Sequence, residues 1–254
     1  MTIHPLFKEG AERGALAGRA ATLSARIVAE VRDALLERRL KSGDFLGTEK
    51  DLAAEAGVSR IVARDALRTL EAMGVVEIKV GAGGGARIAR GNPRLFAEAL
   101  AVQLDLAGVE VAEVMDAQRA IECLAAELAA GHATAQDQAR LRSLIADAEG
   151  KLGDIDAFTR SSRDFHLAVA EASHNRVVVV QLVSLQHVSW PARNRTLTRG
   201  VAEQVLAVHR ELADLIEARD AGAARRLMED HVRMIRARRV AERRGRSSKF
   251  SPCC

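Results

Sequence analysis

The sequence predicts a mainly α-helical protein in two parts: a small N-terminal domain that closes on a β-hairpin, and a C-terminal all-α bundle of six or seven helices. Three observations lead there. Ala, Leu, Arg and Glu dominate while aromatics make up 3%, with one Trp and no Tyr, and the dominant residues are strong helix formers. From residue 95 onward, apolar residues recur at helical spacing almost without interruption. Strand-like alternation occurs at residues 75–90, around a run of glycines.

The chain has 254 residues, 48% hydrophobic and 28% charged, which suits one large or two ordinary domains with real cores. No apolar run approaches the roughly 18 residues of a membrane span, and Met1–Gly14 has acidic residues where a secretory signal would have an apolar stretch. Three cysteines, Cys123, Cys253 and Cys254, make no disulfide framework and point to a reducing cytoplasm. The net charge is +4, unevenly spread. Residues 1–90 carry 15 Lys and Arg against 12 Asp and Glu, residues 91–232 carry 15 against 21, and residues 233–254 carry 8 against 1. A basic head, an acidic body and a basic end imply domains with different partners. The expected division is a flexible arm over 1–21, a first domain over 22–90, a linker over 91–94, a helical domain over 95–240 and a basic disordered tail over 241–254.

Leu23–Leu40 reads as a helix, capped by Ser24, with Ile27, Val28, Val31, Leu35 and Leu36 in one stripe. Lys41–Asp44 is a turn. Thr48 then caps a short helix, answered by Asp51 three residues on. Ala56-Gly57-Val58-Ser59 makes a tight turn whose Gly57 suits positive φ. Ser59 caps the next helix, which runs to about Met73 with Val62, Ala66, Leu67 and Leu70 inward. Two helices joined by so short a turn form a helix-turn-helix. Val75–Val80 and Ala86–Arg90 flank Gly81–Gly85 as a hairpin, which makes a wing.

In such a domain the start of the second helix meets base edges, while its cap and N-terminus meet phosphate. Arg60 and Arg64 lie one turn apart, and an arginine fork bonds both O6 and N7 of guanine. The expected DNA contacts are Thr48, Lys50, Ser59, Arg60, Arg64, Arg68 and Gly81. A phosphate cradle for a nucleotide is the competing use of the glycines. No Lys-Ser/Thr follows them, and the strand–loop–helix context is missing.

The run Ser42–Ala53, then Gly57-Val58-Ser59-Arg60, Arg64–Leu70 and Gly74, resembles the DNA-binding domain of GntR-family regulators over about residues 22–90. Where that family usually shows Leu-Pro-Ser-Glu, this chain has Leu46-Gly47-Thr48-Glu49. The resemblance implies a winged helix-turn-helix that binds double-stranded operator DNA as a homodimer on a pseudo-palindrome.

Helices are expected over about 94–105, 110–131, 134–150, 154–173, 175–190, 198–219 and 221–243, broken at Gly, Pro or Asp/Thr caps. His166, His209 and His231 each sit among apolar positions inside a helix. Three imidazoles converging in a bundle would suit Zn, Ni or Mn, whereas any lone histidine of this kind is more often a satisfied core residue. Asp116-x-x-Arg119-x-x-Glu122, Asp164-Phe165-His166, Ala172–Asn175, Val208-His209 and Ala223–His231 resemble the FCD ligand-binding domain of the FadR subfamily. That resemblance implies a divalent metal held by His166, His209 and His231 together with an Asp one turn before His166, a place taken here by Ser162. It also implies that Arg119, with Glu122, faces the cavity and takes a ligand carboxylate. Asn194, after Pro191, is expected at the pocket mouth.

Together these readings describe a cytoplasmic, non-enzymatic transcription factor, a repressor, whose operator binding responds to a small organic acid. Two other readings stand beside it: a constitutive DNA-binding protein with a metal-free dimerisation domain, and a metal-dependent hydrolase built on the three histidines.

Overall fold

The computed structural model describes residues 22–81, 83–189 and 197–247. The chain divides into two compact units, Met1–Leu95 and Phe96–Cys254. The expected N-terminal arm, Trp190 to Asn194 and the terminal cysteines lie outside the described residues.

The first unit runs α1 (Leu23–Leu36), β1 (Phe45–Gly47), α2 (Glu49–Ala56), α3 (Arg60–Ala72), β2 (Val76–Lys79) and β3 (Gly85–Ile88). Ile27 and Val31 from α1, Leu52 from α2, Ala63, Ala66, Leu67 and Leu70 from α3, and Val76 and Ile88 from the sheet share one core. Both expected features of the helix-turn-helix are present. Thr48 and Asp51 close a capping box on α2, and Gly57 ends it at φ 65°. Ser59 caps α3 by accepting from Val62 N.

Three details differ from the sequence reading. α1 stops at Leu36 because the chain turns at Arg38, which has φ 60°. Leu36 is therefore 77% exposed, and Leu40, beyond the turn, fills the core instead. Thr22 rather than Ser24 caps the helix. Phe45–Gly47, to which the sequence gives no strand pattern, forms β1 and pairs antiparallel with β3, giving the order β1-β3-β2.

Seven helices follow among the described residues: α4 (Pro93–Leu106), which begins just before the division, and then α5 (Val111–His132), α6 (Ala135–Glu149), α7 (Ile155–Ala172), α8 (Arg176–Ser189), α9 (Arg199–Glu217) and α10 (Ala221–Ser247) of the second unit. α5 is the hub, packing against α7, α8, α9 and α10. Its inward face carries Ala125, Ala126, Ala129 and Ala130, small side chains over which neighbouring backbones approach closely. Phe158, Phe165, Leu182, Leu206, Leu212 and Ile216 fill the space around it. The linker is shorter than expected, since Pro93 already stands in α4; proline suits a first helical position. The expected tail from 241 is helix as far as Ser247, because Ala, Glu and Arg favour helix whatever their net charge.

Candidate functional site

Two sites emerge, one in each unit. In the first, α3 presents Arg60, Arg64 and Arg68 on its exposed face, while Ala63, Ala66 and Leu67 anchor the other. Lys50 is exposed beside them on α2. Thr48, Glu49, Lys50, Arg60, Arg64 and the hairpin tip line a cleft of about 520 Å³. Thr48 and Ser59 serve as the caps of α2 and α3. The wing pairs Glu77 with Arg87 and Ile78 with Ala86. Gly81, at φ 107°, lies beside Val80, which is 98% exposed. Gly85, at φ 135°, is required: a Cβ there would fall 2.8 Å from the Gly47 carbonyl oxygen on β1.

Sequence reasoning missed Glu49. Its carboxylate receives Arg64 Nε at 2.9 Å and Arg64 Nη2 at 2.8 Å. The Arg64 guanidinium in turn holds the Glu49 carboxyl below the usual carboxylate range, helped by Arg68 and Arg60. No periodicity signals a pair fifteen residues apart on two helices.

In the second unit, α7, α9 and α10 bring His166, His209 and His231 together in the core, each at most 3% exposed. One ligating nitrogen from each lies within 4.8 Å of the others. The ring centroids form a near-equilateral triangle, with sides of 5.1, 5.2 and 5.3 Å. Phe165 stacks on His209 at 4.1 Å and fixes its plane. Burial drives His209 far below the ordinary histidine range and His231 down to about 3, with neighbouring His166 adding to each shift. Both are therefore neutral near pH 7 and keep a lone pair.

Glu122, expected as a ligand contact, is buried behind this triangle. Its Oε2 bonds His166 Nδ1, and its Oε1 accepts from Gln118 Nε2 at 2.5 Å. A carboxylate on Nδ1–H leaves the Nε2 lone pair of His166 facing inward, as in carboxylate–histidine–metal arrangements. His166 Nε2 then faces His231 Nε2 at 3.3 Å, while His209 Nε2 and His231 Nδ1 are buried without a partner. Unsatisfied buried nitrogens are costly, and an all-imidazole donor set suits Zn or Ni. The residues fit a divalent metal. Ser162 is buried on α7 one turn before His166, while Asp164 is exposed.

Arg119 is engaged in ion pairs. It pairs with Glu229 at 3.2 Å and Asp116 at 4.0 Å, its side chain 38% exposed, and Arg236 binds the same Asp116 at 2.8 Å. The pairing spans α5 and α10. Cys123 is buried with its thiol pushed up to about 11, chiefly by desolvation, so it is inert as a nucleophile.

Comparison with known proteins accords with both halves. The family described as "Bacterial regulatory proteins, gntR family" matches residues 23–85, and the FCD domain matches residues 113–234. The "Putative L-lactate dehydrogenase operon regulatory protein" of Escherichia coli is 30% identical over 224 residues, covering 84% of this chain and 84% of its own. The "Uxu operon regulator" of Haemophilus influenzae is 29% identical over 206 residues, covering 77% and 74%. Among solved structures, Streptococcus agalactiae GntR superposes with a TM-score of 0.62 at 22% identity, over 84% of this chain and 99% of that one, a likeness of fold. These relatives and domains are those of transcription regulators, not enzymes, which removes the hydrolase reading.

Proposed function

The chain belongs to the GntR family of transcriptional regulators and carries an FCD domain, and on that premise we propose that it is a homodimeric repressor of the FadR subfamily whose operator binding is relieved by a small carboxylate. The DNA contacts are Lys50, Arg60, Arg64 and Arg68, with Thr48, Ser59 and Gly81 meeting phosphates. The effector site is the histidine triangle. The observation that carries it is the convergence of three buried imidazoles, two of them held neutral, on one point of the bundle core.

His166, His209 and His231 would hold a divalent metal, which when bound supplies an electrophilic centre for an anionic ligand. Glu122 holds the His166 ring in its tautomer, and Phe165 holds the His209 ring in its plane. Ser162 adds no charge, so a carboxylate ligand would meet a cationic site. The relative named for an L-lactate dehydrogenase operon supports a small acid of this kind. Arg119, held to Glu229 through Nη1, would take part as a second contact for the ligand's carboxylate. Exposed Phe96, Val102 and Leu106 on α4 supply apolar surface for a second copy.

The test joins both halves. Genomic fragments bound by the full chain are recovered, and release is measured by fluorescence anisotropy with a panel of small hydroxy acids and sugar acids. Elemental analysis of untagged protein is run beside His166→Ala. The proposal expects near-stoichiometric Zn, Ni or Mn, lost in the variant, and an acid that frees the DNA. Tight DNA binding without metal and without release by any acid would leave the constitutive reading in its place.

A further inference from the structure

The face that meets DNA carries an acidic residue, although negative charge opposes a phosphate backbone. Glu49 opens α2, and its carboxylate grips Arg64 of α3 through Nε at 2.9 Å and Nη2 at 2.8 Å. The pair bridges the two helices of the helix-turn-helix. Arg60 and Arg68 stand close enough for their charges to act on the same carboxylate. A guanidinium offers two edges with paired N–H groups: a side edge, Nε with Nη2, and an end edge, Nη1 with Nη2. Glu49 takes the side edge. The end edge remains, on a side chain that is still 53% exposed, and it is this kind of fork that bonds O6 and N7 of guanine together. An exposed arginine without a clamp samples many rotamers and loses that freedom on binding. The charge of Glu49 also subtracts from the sequence-independent attraction to phosphates.

We propose that Glu49 is a positioning residue for base reading: it holds the Arg64 guanidinium in one orientation, so that the free Nη1/Nη2 edge reads one guanine in each half-site. Its charge meanwhile weakens binding to DNA of every other sequence. Specificity is a difference of affinities, and one carboxylate acts on both sides of that difference. The inference rests on the DNA-binding reading above and deepens it.

The experiment uses the full chain as wild type, Glu49→Gln, Arg64→Ala and the double variant. Each is taken through selection from a random duplex pool, then titrated at fixed salt against the selected duplex, the same duplex with the guanine changed to adenine, and random duplex. The wild type should select a motif with a guanine in each half-site and discriminate against its replacement about tenfold or more. Glu49→Gln should relax that same guanine, lowering discrimination to about threefold or less, while affinity for random duplex rises about two- to fivefold. In the Arg64→Ala background, Glu49→Gln should change discrimination no further. An unchanged motif in Glu49→Gln overturns the inference. So does relaxation at a base other than the one Arg64→Ala relaxes, since Glu49 would then contact a base itself. Parallel loss of affinity for all duplexes, with lowered thermal stability, also overturns it and assigns Glu49 to the first turn of α2 alone. A wild type that selects no motif removes the DNA reader itself, a result distinct from all of these.

Discussion

His231 joins the acid–base behaviour of this protein to its candidate site. Its folded-state pKa is depressed to about 3 from an ordinary 6.5, first by burial, then by His166 and Arg238. Below about pH 6.5 the unfolded chain takes up a proton that the folded one refuses, so stability is full above that pH and falls as pH drops towards 3. Metal-stripped protein should lose several kcal/mol across that window by denaturant titration, and His231→Gln should lower the slope while leaving the part that the likewise depressed His209 contributes. A slope unchanged by the substitution would place the titration elsewhere. Glu122 acts one shell further out. Glu122→Gln keeps the shape but weakens the hold on Nδ1–H, so metal affinity in a chelator competition should fall about 10- to 100-fold. Unchanged affinity would mean that the His166 tautomer is set without it.

At the scale of elements, the turns decide more than the helices. Gly57 ends α2 at φ 65° with open space around its Cβ position, so Gly57→Ala meets no clash and pays only the left-handed backbone penalty, about 1 kcal/mol. Gly57→Val should cost more, because branching at Cβ tolerates that region poorly. Thermal melts of the two variants rank them, and equal melting would argue against the αL geometry. In the bundle, Arg219 sits at φ 63° and donates to the carbonyls of Ala130 and Ala133 at 3.2 and 2.6 Å, closing the C-terminal end of α5. Arg219→Ala should destabilise by about 1–3 kcal/mol, as half-buried carbonyls lose charge-assisted partners. The strand β1 belongs to this scale as well. Three residues are too few for alternation to register, and Phe45 to Gly47 become a strand only because β3 lies beside them.

Over the whole molecule there are two separate cores, one built on α1–α3 and the sheet, the other on α5 to α10. Phe158 is fully buried in the second. Phe158→Ala should cost about 3–5 kcal/mol and lower one calorimetric transition while leaving the other in place. Chelation should act on the same transition, since the histidine triangle lies in that core. One transition moving as a unit would show the two units to be energetically coupled.

The sequence alone determined the order and type of nearly every helix, the helix-turn-helix with its caps, the wing and the identity of the three histidines. Those features are written locally: apolar spacing, cap residues and turn glycines each act over a few positions. The tertiary structure decided what depends on residues far apart in the chain. Only packing joins Glu49 to Arg64 across two helices, seats Glu122 behind His166, and ties Arg119 to Glu229. Likewise the exposure of Leu36 follows from a turn beyond its own helix. A side chain's neighbours across an interface are set by crossing geometry and by competition among charges, neither of which has a period along the sequence.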